Sequence, residues 1–193
     1  MHADDLCDSE RVVWDAFPRA ETVDFRTATA SGHGTPGGNQ AVRADVIAAL
    51  LLGARTPETG RVPAVRLSGA RIAGQLDLSF AEVGFAVLLR DCVFDEEPRL
   101  YGASTRLVNL SRSRLPGLQL SDAQIDGLLW LEGCRFDGPV RLTGARIAQT
   151  LSLQRRFRCA EFRPVMSVDH CGERPVRIWL IRVDDCEECG VGP

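Results

Sequence analysis

Ala123-Gln124-Ile125-Asp126-Gly127-Leu128-Leu129-Trp130-Leu131-Glu132-Gly133-Cys134-Arg135-Phe136-Asp137-Gly138-Pro139-Val140-Arg141-Leu142-Thr143-Gly144-Ala145-Arg146-Ile147 contains one full period of a pattern and the start of the next. A large apolar residue arrives at every fifth or sixth place: Ile125, Leu131, Phe136, Leu142 and Ile147. The residue two places before each is apolar or small: Ala123, Leu129, Cys134, Val140 and Ala145. Residues two apart on an extended backbone share a face, and the one between them points away. The residues between are Gln124, Trp130, Arg135, Arg141 and Arg146, polar apart from the tryptophan. A helix has a period of 3.6 and cannot write this pattern, and hairpin strands would need turn signals that are missing.

Outward from this stretch the pattern holds from Val65 to Leu153, and the large residues fall into four columns. These are Leu67, Leu89, Leu110, Leu131 and Leu153; Ile72, Phe94, Leu115 and Phe136; Leu78, Leu100, Leu120 and Leu142; and Val83, Thr105, Ile125 and Ile147. Thr105 is the one polar member. Small residues accompany the second and fourth columns, with Ala81, Ala103, Ala123 and Ala145 in the last. A chain that returns to the same environment about every 21 residues winds a solenoid. The reading is a mainly β fold: a four-sided tube of just over four turns, each side contributing two apolar residues to the bore. Gly69, Gly74, Gly102, Gly117, Gly133, Gly138 and Gly144 mark its corners, and Asp95-Glu96-Glu97-Pro98 forms an altered one.

The five-residue alternation in Ala70-Arg71-Ile72, Ala123-Gln124-Ile125 and Ala145-Arg146-Ile147 resembles the pentapeptide-repeat proteins, over about residues 65–153. The resemblance implies a right-handed quadrilateral β-helix. Frequent six-residue steps, and Val or Leu at half of the small positions, make this a degenerate variant of that pattern.

The chain divides into a helical N-terminal cap and loop (1–60), the solenoid (61–153) and an irregular C-terminal tail with one strand (154–193). In the cap, Ser9 is expected to cap a helix from Glu10 to Phe17, ended by Pro18. Asn39 is expected to cap a second from Gln40 to Leu52, ended by Gly53. Residues 27–41 read as a loop. The second helix suits a lid over the open end of the bore, where apolar core would otherwise meet water. After Leu153 the five-residue phase stops, and Val176 to Val183 alternate as one strand would.

Composition narrows the function. The longest apolar run, Val46 to Leu52, is too short to span a membrane, and Met1-His2-Ala3-Asp4-Asp5 lacks the layout of a secretion signal, so the expectation is cytoplasmic. Seven cysteines, two of them (Cys92 and Cys134) in core columns, argue against a disulfide framework. All 23 basic residues are arginine, which suits a GC-rich bacterial genome as well as any function. Cys186-Glu187-Glu188-Cys189, with His170-Cys171 and Cys159, is the one ligand-like constellation. Only one Cys-x-x-Cys arm is complete, and the surrounding acids discourage thiolates, so no metal or other cofactor is assigned. His2, His33 and His170 all lie outside the repeat, Ser111 and Ser113 have no histidine beside them in the sequence, and the glycines near His33 lack a phosphate-loop context. No catalytic residue is assigned.

Some pentapeptide-repeat proteins mimic DNA and bind DNA gyrase, which needs an acidic rod. Residues 65–153 carry ten arginines against ten Asp plus Glu, a neutral rod. Arg71, Arg114 and Arg135 point outward in one column, the wrong sign for a mimic, while Asp95 and Asp137 beside them argue against a nucleic-acid partner. Trp130 is the one large aromatic on an outward repeat position. These four residues are the candidate contacts for a protein partner or a second copy. The preferred reading is a non-catalytic scaffold or protein–protein interaction module. The alternatives are a gyrase-directed DNA mimic and an enzyme with a site between cap and solenoid.

Overall fold

A computed structural model describes residues 5–26 and 41–153 in full, and the backbone of 158–159 and 177–179 as strands. It has the four sides that the columns require. The first side stacks Val23–Asp24, Ala64–Ser68, the end of Glu82–Arg90, Ser104–Asn109, Leu128–Trp130, Thr150–Ser152 and Arg177–Trp179, all in parallel. The second stacks Ala41–Arg43, Arg71–Ala73, Val93–Phe94, Arg114–Leu115, Arg135–Phe136 and Arg158–Cys159. The third pairs Leu118–Gln119 with Val140–Arg141, and bridges join Asp77, Arg99 and Gln119. The fourth runs from Glu82–Val83 through Ser104–Thr105 and Gln124–Ile125 to Arg146–Ile147. Register follows the columns: Leu67 lies against Leu89, Leu129 against Val108, and Ile125 against Ile147.

Every column position and every minus-two position is buried except Ala81, Ala145 and Leu153, and those three pack against the core from near the rod ends. Alanine, cysteine and serine at half of the minus-two places leave the bore wide enough for leucine and phenylalanine opposite. Ser113 also replaces a ladder bond: its Oγ donates to the Leu89 carbonyl at 2.9 Å and accepts from the Cys92 amide at 3.0 Å. Thr105 has no such partner. Among the described residues its Oγ1 is the only buried side-chain polar atom without a hydrogen bond. Thr105→Val removes that unsatisfied hydroxyl while keeping the branched shape beside Val83 and Ile125. The unfolding free energy in urea should rise by about 1 kcal/mol; a loss of that size would mean that the hydroxyl has a partner.

The corners depart from the glycine rule. Left-handed backbone recurs after the first side at Gly69, Asp91, Arg112 and Gly133, and after the third at Phe80, Gly102, Asp122 and Gly144. Half of these are not glycine, which is why glycine spacing alone does not mark the turns. Gly138 has another reason to be glycine: a Cβ there would collide with the Pro116 carbonyl oxygen of the turn before.

The ladder reaches beyond the repeat at both ends, through 23–24 and 41–43 before it and 158–159 and 177–179 after it. This corrects the second helix. Val42 sits in the bore in register with Ile72, so Ala41–Arg43 is strand, and the helix α2 is Ala44–Leu51. Asn39 and Gln40 lie outside the described residues. At the far end of α2 Gly53 is left-handed, and the amides of Gly53 and Ala54 bond to Leu50 and Ala49, which closes the helix as its sequence predicts. Val46, Ile47, Leu50 and Leu51 are buried within the same core as the first turns, so α2 covers the end of the bore.

The first helix, α1 (Asp8–Ala16), starts before Ser9, with Cys7 as its N-cap. The cause is Glu10, which accepts the Cys7 amide at 3.0 Å and so caps the helix from inside. The same carboxylate takes Arg43 in a fork, Nε at 2.7 Å and Nη2 at 2.8 Å, and the Arg43 amide at 3.0 Å. Glu10 is 2% exposed. Arg43, outweighing the effect of burial, holds its carboxyl down at about 2, against an ordinary 4.5. A depressed carboxyl contributes stability above its unfolded pKa and loses it as pH falls toward the folded one. Cap stability should therefore hold above about pH 4.5 and decline toward pH 2, by about 2–3 kcal/mol. Glu10→Gln should flatten that part of the pH profile of thermal unfolding.

Candidate interaction surfaces

The arginine column is built by the second side. Arg114 and Arg135 are in register on adjacent turns, and Val93 separates Arg114 from Arg71. Each guanidinium has a carboxylate. Arg71 Nε reaches Asp95 at 2.8 Å, Arg114 Nε reaches Asp137 at 2.8 Å, and Arg135 Nε lies 3.5 Å from the same Asp137. All three arginines remain well exposed. Pairs of this kind contribute little to stability, but they leave a face of alternating charge. The altered corner takes part: Glu97 accepts from Arg141 Nη1 at 2.9 Å.

Trp130 stands on the first side in line with Asn109 and Ser152, half-buried. It shares no patch with the arginine column, which lies on the next side. The four candidate residues thus divide between two faces.

Sequence reading missed a third surface. Phe80 and Tyr101 meet edge to face, ring centroids 5.1 Å apart, at the corner between the third and fourth sides. Phe80 is 73% exposed and Tyr101 37%. They escaped notice because they fall between the columns, at corner places that the five-residue rule leaves unspecified. The signal available was alignment: Phe80 occupies the place held by Gly102 and Gly144 in other turns.

Two cavities flank the cap. One of about 550 Å³ is wide-mouthed and lies within the cap itself, between Trp14, Asp15, Pro18 and Arg19 and the 54–58 segment. Its charged residues include the Arg55–Asp15 pair, 3.1 Å apart. The other, about 150 Å³, lies between Thr22 and the first side at Arg66 and Arg90. Arg19 and Glu58 also line the first, and the lining of the second has two arginines and no carboxylate.

Cys92 and Cys134 face the bore, and burial pushes their thiols up to about 11 and about 12, the protonated and unreactive form. Cys134 Sγ donates to the Leu110 carbonyl at 2.9 Å. Among the described residues no group of three or more His, Cys, Asp and Glu is placed to hold a metal ion. His2, His33, His170, Cys171, Cys186 and Cys189 lie outside those residues, and of Cys159 only the backbone is described. No described helix is long and apolar enough to cross a membrane. No protein-family model, no curated protein and no solved structure matches the chain.

Proposed function

We propose that this chain is a non-catalytic interaction module of the pentapeptide-repeat kind, a bacterial cytoplasmic scaffold that presents side chains on a stiff rod to a protein partner. One observation carries the reading. Phe80 is an aromatic residue held at φ 58°, in the left-handed region, with most of its ring in water. Such a conformation costs a bulky residue of order 1 kcal/mol relative to glycine. Of the three equivalent turns, two use glycine (Gly102 and Gly144) and one the short polar Asp122. Folding therefore gains little from phenylalanine here, whereas a partner gains a rigid aromatic anchor beside a second ring. Trp130, Arg71, Arg114 and Arg135 extend the surfaces available for contact.

The test is affinity capture from the source cell with the parent chain, Phe80→Gly, Tyr101→Ala and Trp130→Ala. Phe80→Gly should leave the melting temperature unchanged or raise it by a few degrees, and should abolish capture. A partner retained by all three variants at full level would refute the contact surface. The gyrase reading has less support: the rod's balanced charge and its exposed arginines do not resemble a phosphate backbone.

A further inference from the structure

We propose that the cavity between Thr22, Arg66, Leu67, Leu88 and Arg90 binds a phosphate group, free or as a monoester. Strand register places its parts. Val23 lies against Leu67 and Ser68 against Arg90, so Thr22 stands beside Arg66, and the two arginines are diagonal neighbours on one face. Like charges so placed repel each other unless an anion lies between them.

The nearby carboxylates are already engaged. Asp24 accepts from Arg26 at Nε, 3.0 Å, and at Nη2, 2.7 Å. Asp91 accepts from Arg112 at 2.6 and 2.7 Å and from Arg26 Nη1 at 3.0 Å. Arg26 and Arg112 take the two aspartates by hydrogen bond, and Arg90 lies near enough to Asp24 and Asp91 to help hold both carboxyls down. Among the described residues Arg66 and Arg90 form no ion pair, and no acidic side chain lines the cavity. The ligand that satisfies this is a compact dianion with oxygens on several sides. Guanidinium forks recognise phosphate in that way, and the Thr22 hydroxyl can donate from the cap side. Leu88 forms an apolar wall that weakens competition from water. The volume of about 150 Å³ admits one such group and little more.

The experiment is calorimetric titration of the full chain at low ionic strength with inorganic phosphate and, separately, O-phosphoserine. Parent, Arg66→Gln, Arg90→Gln and the double variant are compared, with Arg114→Gln as a control on the second side. The expected result is one saturable site, weakened about tenfold by each single substitution, absent in the double variant and intact in the control. Phosphate should also raise the melting temperature of the parent but not of the double variant. Equal binding by parent and double variant, equal weakening by the control, or no saturable binding would each overturn the proposal. Whether a partner protein is captured has no bearing on this outcome.

Discussion

Phe17→Ala lowers the unfolding free energy by about 3–5 kcal/mol and loosens the cap from the rod. Phe17 is among the largest fully buried side chains, at the start of the short 3-10 turn Phe17–Arg19. It meets Phe85 edge to face, with ring centroids 5.4 Å apart. Phe85 stands where the strand Glu82–Arg90 slips register against the next turn, an extra residue that turns a ring toward the cap. Alanine leaves a cavity beside a rigid strand, and the surroundings have little freedom to fill it. Phe85→Ala should cost less, because that ring is only partly buried. The double variant should show a coupling of about 0.5–1.5 kcal/mol. Urea unfolding followed by tryptophan fluorescence reads both, since Trp14 is in the cap and Trp130 in the rod. Equal, additive and small losses would mean that these rings do not join cap to rod.

Leu115→Ala should cost about 2–5 kcal/mol, as an interior position of a close-packed core does. Leu115 is fully buried on the second side and in register with Phe136 on the next turn. Each turn contacts chiefly its neighbours, so the damage should spread along the rod from the middle. Leu52→Ala is the matched control. Leu52 is 58% exposed just past α2, and its loss should fall within about 0.5 kcal/mol. Similar losses at the two sites would contradict the assignment of inside and outside.

The solenoid was legible because burial in a narrow bore acts on every turn alike. Leu78, Leu100, Leu120 and Leu142 are all inside for one reason, and their spacing records it. The ends were less legible because each occurs once. Nothing near Val42 repeats, so the sequence puts it inside the helix expected from Gln40 to Leu52, whereas the ladder holds it in register with Ile72. Glu10 has the sequence of a surface residue, yet it is the buried clamp between α1 and the first rung of the second side, because its partner Arg43 is 33 residues away. The candidate contacts were legible in part. The pairing of the arginine column with Asp95 and Asp137 follows from the winding, as it was read. Phe80 and Tyr101 were missed because corner residues obey backbone geometry rather than hydrophobic period.

Methyl-to-methyl nuclear Overhauser effects among the third-side leucines test the winding most directly. Parallel turns stack at about 4.8 Å, so Leu78 should contact Leu100, Leu100 should contact Leu120, and Leu120 should contact Leu142. Leucines two turns apart should show no cross-peak. Absence of the neighbouring contacts, or strong contacts between Leu78 and Leu142, would contradict a bore lined turn upon turn by the same columns.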